Sequence, residues 1–127
     1  MEIRVRRIYE PPARDDGVRV LVDRLWPRGV AKSKAGVDHW VKAAAPSDEL
    51  RRWFGHQPEK WEGFRERYFA ELDGNPAAVA ELRQALGDGT ATLLFAARDE
   101  RYNNAVALRE YLEKRRSTPA ADPVAAC

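Results

Sequence analysis

Val18-Arg19-Val20-Leu21-Val22-Asp23-Arg24-Leu25-Trp26-Pro27-Arg28-Gly29 passes from a β-branched apolar run into a charged turn stiffened by proline. Val20, Leu21 and Val22 leave no polar face, so a strand from Val18 to Leu25 is expected to be covered on both sides, as central strands of α/β sheets are. Thr90 to Ala97 repeats the pattern, with Leu93-Leu94-Phe95 between small residues, and reads as a second doubly covered strand. Glu2 to Tyr9 instead alternates Ile3 and Val5 with arginines, the period of a strand with one wet face or at an edge. Pro11-Pro12 stops that strand, and Asp15-Asp16-Gly17 is a turn cluster. The link to the next strand is too short for a usual parallel crossover, so the first two strands are either antiparallel neighbours or not adjacent. Val37 to Lys42 offers a short strand as well.

Helical signals fill the rest of the chain. Ser47 is an N-cap with Asp48 and Glu49 behind it, opening a helix that runs to about Phe54. Pro58 stands at a first helical position, and Trp61, Phe64, Tyr68 and Leu72 recur at three to four residues before Gly74. Asn75-Pro76 opens a further helix with Val79, Leu82 and Leu86 on one face, and Gly87 ends it. The last helix covers about Asn103 to Lys114, burying Val106, Leu108, Tyr111 and Leu112. Strands alternating with helices give an α/β fold, a small layered domain with a parallel or mixed sheet of about four strands covered by helices. Residues 1–116 form this single domain; residues 117–127, rich in Ala and Pro and without periodicity, are expected to be a disordered C-terminal tail.

The 127 residues suit one core and leave no room for a second. Cys127 is the lone cysteine, so no intrachain disulfide forms and a reducing, cytoplasmic compartment fits best. The charged run after Met1 lacks the apolar centre of a signal peptide, and no apolar stretch is long enough to span a bilayer, so no membrane association is expected. Net charge is +2, with 22 basic residues spread among 20 acidic ones, which argues against bulk electrostatic binding of nucleic acid. His39 and His56 are far apart in sequence and have no cysteine partner, so no metal is expected. Ser33 and Ser47 lack a nucleophile elbow. Neither a Walker loop nor a Gly-x-Gly-x-x-Gly motif occurs, and the cofactor, if any, stays unknown.

Ligands of α/β sheets bind beyond the carboxyl ends of the strands. If the strands at Val18 and Thr90 run parallel, the residues that follow them converge on one rim. Candidate ligand-binding residues are then Arg24, Trp26, Arg28, Lys32, Lys42, Arg98, Asn103 and Asn104, with Asp23 and Asp99 as candidate catalytic carboxylates. Arginine forks and the amides of a helix start suit phosphate or carboxylate, which points to an anionic, nucleotide-like small molecule. The bland reading has equal weight: Asp23 and Arg24 pair with Arg98 and Asp99 to knit loops, Trp26 plugs the sheet end, and Asn103 and Asn104 cap the helix. Trp53, Phe54, Trp61, Phe64, Tyr68 and Phe69 have the helical spacing of core residues and are a poorer candidate for a base-stacking surface. A catalytic carboxylate works with a raised pKa, whereas arginine neighbours are expected to lower it.

Leu21 to Gly29 is followed by Lys32, Trp40, Lys42, Ala45-Pro46-Ser47 with Leu50, Trp53-Phe54-Gly55-His56, and Leu93 to Ala97 with Asp99, Asn103 and Ala105. In this ordered series, across about Ile3 to Leu112, the chain resembles the YeaO-like family of bacterial and archaeal proteins, domain of unknown function 488. The resemblance implies a compact α/β cytoplasmic domain and brings no reaction with it. It is also similar to longer domains with a crossover helix before the strand ending Leu-Val-Asp; here only Pro11 to Gly17 stands in that place. Three classes of function follow: an anion-binding domain, with hydrolase or transferase chemistry open; a non-catalytic protein-interaction or self-association module anchored by Trp26; or sequence-tolerant nucleic-acid binding, for which the near-neutral total charge is an unfavourable sign. The oligomeric state stays open.

Overall fold

The computed structural model describes residues 2–117. Four strands, β1 (Glu2–Arg7), β2 (Val18–Leu21), β3 (His39–Trp40) and β4 (Thr90–Phe95), form one sheet in the order β1-β4-β2-β3, and every pairing is parallel. The helices are α1 (Lys32–Ala35), α2 (Asp48–Phe54), α3 (Trp61–Asp73), α4 (Pro76–Leu86) and α5 (Asn104–Ser117). Short 3-10 turns occupy Arg14–Asp16, Lys42–Ala44 and Pro58–Lys60. The α/β class is as read from the sequence, and the sheet is parallel rather than mixed.

The two apolar runs lie side by side in the centre. Leu93 pairs with Val5 on one side and Val20 on the other. One face of the sheet carries Ile3, Val20, Val22, Ala91, Leu93 and Phe95 into the main core, where α2 to α5 add Leu50, Phe54, Phe64, Tyr68, Leu82, Leu86 and Leu108. The other face buries Leu21, Leu94 and Ile8 under a thinner cover of Ala35, Trp26, Val30, Val37 and Trp40. This double covering is what a continuous apolar run requires.

β1 and β2 are not neighbours, because β4 lies between them. The link between them crosses β4 without an α-helix, turning through Arg14–Asp16. Two contacts hold this short crossing down. Thr92 Oγ1 donates to the Asp16 carbonyl at 2.7 Å, and the buried Asp16 carboxylate accepts from the Arg19 guanidinium. Arg19 Nη2 also donates to the Ala35 carbonyl and its Nε to that of Gly36, at 3.1 and 3.0 Å, so one side chain joins the crossing to α1. Gly17, at φ +66, lies so close to β4 that a Cβ there would be 2.0 Å from the Thr90 carbonyl oxygen.

Several boundaries differ from the sequence reading. β2 ends at Leu21, although the Val22 amide still donates to the Leu94 carbonyl at 3.1 Å, because the chain after it leaves the sheet to form the rim. The strand expected from Val37 to Lys42 shrinks to His39–Trp40, with Lys42 in a 3-10 turn. The helical turn α1 was not anticipated. Helix α5 extends to Ser117, and the rest of the expected tail lies outside the described residues. Ser47 caps α2 as expected, its Oγ accepting from the Leu50 amide at 3.1 Å, and Asn75 caps α4 through the Ala78 amide at 3.3 Å.

Candidate functional site

The carboxyl ends of β2 and β4 open onto a cavity of about 340 Å³. Asp23, Arg24, Leu25, Trp26 and Pro27 line it from the segment after β2, Ala96 and Ala97 from the end of β4, and Tyr102, Asn103 and Asn104 from the start of α5. Pro46, Arg51, Phe54 and His56, from α2 and its flanks, and Phe64 of α3 complete the wall.

Asp23 is held from two sides. Its Oδ2 accepts from the Ala96 amide at 2.9 Å, and its Oδ1 from the Asn104 side-chain amide at 3.1 Å. Asn104 also donates to the Val22 carbonyl at 3.0 Å, so one amide spans the last turn of the sheet edge. Burial pushes the Asp23 carboxyl above its ordinary value, opposed by the hydrogen bonds from Asn104 and Ala96 and by the positive Arg51. This corrects the expectation that arginines would lower it. Loss of water outweighs their field, because the Arg24 guanidinium is turned elsewhere: Nε and Nη2 donate to the Pro46 carbonyl at 3.3 Å, and Nε lies 3.8 Å from Asp48.

Asp99 does not join Asp23. Its Oδ1 accepts from the amides of Arg101 and Tyr102 at 2.9 and 3.0 Å, and these hydrogen bonds hold its carboxyl below the ordinary value. It is outside the lining of the cavity and acts as the acceptor of the turn before α5. Asn103 is the N-cap of that helix, its Oδ1 accepting from the Val106 amide at 2.9 Å while its Nδ2 donates to the Asp99 carbonyl at 2.9 Å.

Of the other cations, Arg28, Lys32, Lys42 and Arg98 are exposed and outside the lining. Lys32 Nζ stands 5.4 Å from the Trp26 ring centroid and Lys42 Nζ 4.4 Å from that of Trp40. Cavity residues missed in the sequence are Leu25, Arg51, Phe54, His56, Phe64 and Tyr102. His56 has the positive φ of 56°, following Gly55 at 55°, so the chain leaves α2 by two positive-φ steps, the second at His56 itself. The Gly55-His56 pair was the one local signal available. Leu25 is 65% exposed, an unusual place for a large apolar side chain.

Among the described residues no group of three or more His, Cys, Asp or Glu side chains is placed to hold a metal ion, and no helix is long and apolar enough to cross a membrane.

The fold and the cavity define a small all-parallel α/β domain with a strand-end pocket. The chain belongs to the family described as the inactive DUF488-N3 subclade, which it matches over residues 2–126. It is 45% identical over 113 residues to an uncharacterised protein of Mycobacterium tuberculosis, covering 89% of this chain and 95% of that one. An uncharacterised protein of Mycobacterium bovis matches to the same extent. It is also 38% identical over 112 residues to the uncharacterised protein YeaO of Escherichia coli, covering 88% of this chain and 97% of the relative. No solved structure gives a significant match.

Proposed function

We propose that the domain binds a small anionic molecule, phosphate-bearing and nucleotide-like, in the cavity beyond β2 and β4, without catalysing a reaction on it. One arrangement carries this reading: Arg24, Arg51 and His56 line the same cavity as the Asp23 carboxylate, the Asn104 amide and the rings of Phe54 and Phe64. Guanidinium groups suit phosphate or carboxylate oxygens. The Asp23 oxygens and Asn104 Oδ1 accept hydrogen bonds, so the ligand presents an N–H or O–H group as well as an anion, and the two rings receive an apolar or planar body. The volume lies within the roughly 300–1,000 Å³ range of small-molecule sites.

Two observations favour binding over catalysis. The matched subclade is described as inactive. Asp99, the expected partner of Asp23, is spent on a turn and kept ionised. A cytoplasmic location belongs to the same proposal, supported by a single cysteine in a chain that therefore has no intrachain disulfide.

Thermal unfolding against nucleotides, sugar phosphates, pyrophosphate and small carboxylates tests this. A ligand at about a hundred times its Kd stabilises the fold by roughly 2.7 kcal/mol. The upward shift is expected in the wild type and lost in Arg51→Ala, whose partner Asp48 is exposed. A shift that survives Arg51→Ala, or turnover of the bound compound, contradicts the proposal.

A further inference from the structure

The cations that the cavity leaves out form a surface of their own. Between Trp26 and Lys42 the chain carries Arg28, Lys32, Lys34 and Lys42 against one carboxylate, Asp38. That carboxylate is engaged by the backbone, its Oδ2 accepting from the Arg19 amide at 2.8 Å. All four cations are exposed, and none has a carboxylate partner among the described residues. The near-neutral total charge therefore hides a local excess.

The same segment carries two fixed aromatic rings. Trp26 and Trp40 meet edge to face, with centroids 5.4 Å apart. Each indole N–H is tied inward, Trp26 to the Val30 carbonyl at 2.7 Å and Trp40 to the Asp23 carbonyl at 2.8 Å. Lys32 stands over the first ring and Lys42 over the second. The rings are held by the fold, whereas the ammonium groups sit on long flexible stems with no anion to hold them. Rigid aromatic rings with mobile cations beside them are the parts that bind single strands: phosphates draw the cations, and bases stack where the cations stood.

We infer that the Trp26–Lys42 segment is a docking surface for single-stranded nucleic acid, distinct from the cavity and sharing only Trp26 and Pro27 with its lining. Lys32 and Lys42 move from the indoles to the phosphates, and Arg28 and Lys34 extend the contact along the backbone. The charge complementarity is local and sequence-independent, so affinity is salt-dependent and tolerant of base composition.

Fluorescence anisotropy with a labelled mixed-sequence DNA single strand of about twelve nucleotides tests this. Four neutralised phosphates give a salt slope of about −2.8, so affinity is expected to fall about 50-fold between about 50 and 200 mM salt. Lys32→Gln with Lys42→Gln is expected to flatten the slope to about −1.4 with the unfolding temperature unchanged, since both side chains are exposed. Quenching of tryptophan fluorescence by the bound strand reports stacking. Absence of binding at about 50 mM salt, an unchanged slope in the double variant, or equal binding of heparin, which has no bases, overturns the inference. The cavity is scored separately: Arg51→Ala is expected to leave strand binding intact while removing the thermal shift by a small anion, so failure of either site is told apart from failure of the other.

Discussion

The side-chain amide of Asn104 donates to both the Val22 carbonyl and the Asp23 carboxylate, at 3.0 and 3.1 Å, and so fastens the first turn of α5 to the end of β2. The carboxyl end of β2 and the helix start that frame the cavity are tied together by its hydrogen bonds. Asn104 and Asp23 are only partly buried, whereas Val22 is fully buried.

Asn104→Ala removes the bond to a buried-strand carbonyl and leaves the Asp23 carboxylate with the Ala96 amide alone. Unpaired buried acceptors cost about 1–3 kcal/mol. Urea unfolding is expected to show a loss in that range, and the carboxyl of Asp23 is expected to titrate higher still, because the Asn104 hydrogen bond lowers it in the wild type. Equal stability of wild type and variant would show that the bridge is not a structural tie.

The Asp23 carboxyl is raised and those of Glu110 and Asp99 are lowered, and these shifts act on stability with opposite sign. A raised folded-state pKa means that folded Asp23 holds its proton where the unfolded chain has lost it. Its contribution is therefore present at low pH and lost as pH rises from the ordinary aspartate value, 3.8, through the raised one. Glu110, held down by Arg65, contributes stability above the ordinary glutamate value, 4.5, that is lost as pH falls through its lowered one. Carboxyl NMR titration is expected to place Asp23 above 3.8 and Asp99 below it. In Arg51→Ala, Asp23 moves further up because a positive neighbour is gone. A downward move would show that Arg51 does not act on Asp23.

What the sequence disclosed and what it withheld follow from how local each signal is. β4 and the core of β2 were legible because a continuous apolar run has one good solution, burial on both faces. Helices α2 and α4 were legible because their caps are side chains that bond amides three residues on, Ser47 to Leu50 and Asn75 to Ala78. β3 was legible only as a short strand between Val37 and Lys42, and its ends were not, since the two residues paired to Val20 and Leu21 carry no period of their own. In the cavity, Asp23, Arg24 and Trp26 were found because they follow β2 directly, and Asn103 and Asn104 because they open the helix after β4, two strands that proved to be parallel. Arg28, Lys32, Lys42 and Arg98, grouped with them by sequence, lie outside the lining: distance along a loop does not tell which side the loop turns to, and Lys32 and Lys42 stand over Trp26 and Trp40 instead. Arg51 and His56 reach the cavity only through the packing of α2 on the core, a long-range relation without local trace.

Arg19 is buried with Asp16, and its guanidinium also serves the carbonyls of Ala35 and Gly36. Replacing it by methionine keeps much of the volume but leaves the buried Asp16 carboxylate with the Ala13 amide and the more distant Arg6 guanidinium, 3.7 Å away. Removing one partner of a buried pair costs about 3–5 kcal/mol. Urea unfolding of Arg19→Met is expected to show a loss of that order, and a loss below about 1 kcal/mol would mean that the pair is solvated in solution.

Gly17 and Gly87 separate two penalties that usually come together. Both have positive φ, +66° and +70°, with ψ of −140° and −157°, a region essentially reserved for glycine, so a side chain at either meets a backbone cost of roughly 1–3 kcal/mol. At Gly87 nothing lies within 4 Å of the added Cβ, so Gly87→Ala is expected to lose about that amount and no more. At Gly17 the Cβ would be 2.0 Å from the Thr90 carbonyl oxygen and 2.6 Å from its carbon, both backbone atoms of the strand through which β1 and β2 are joined. Backbone in the middle of the sheet cannot yield as a flexible side chain can, so the crossing must lift from β4 and take the Asp16–Thr92 bond with it. Gly17→Ala is therefore expected to cost about 4 kcal/mol or more, or to prevent folding altogether. Circular dichroism of the purified variant distinguishes these two outcomes. A Gly17→Ala protein as stable as Gly87→Ala would mean that the link between β1 and β2 does not press on β4 in solution, and the helix-free parallel crossing would have to be redrawn.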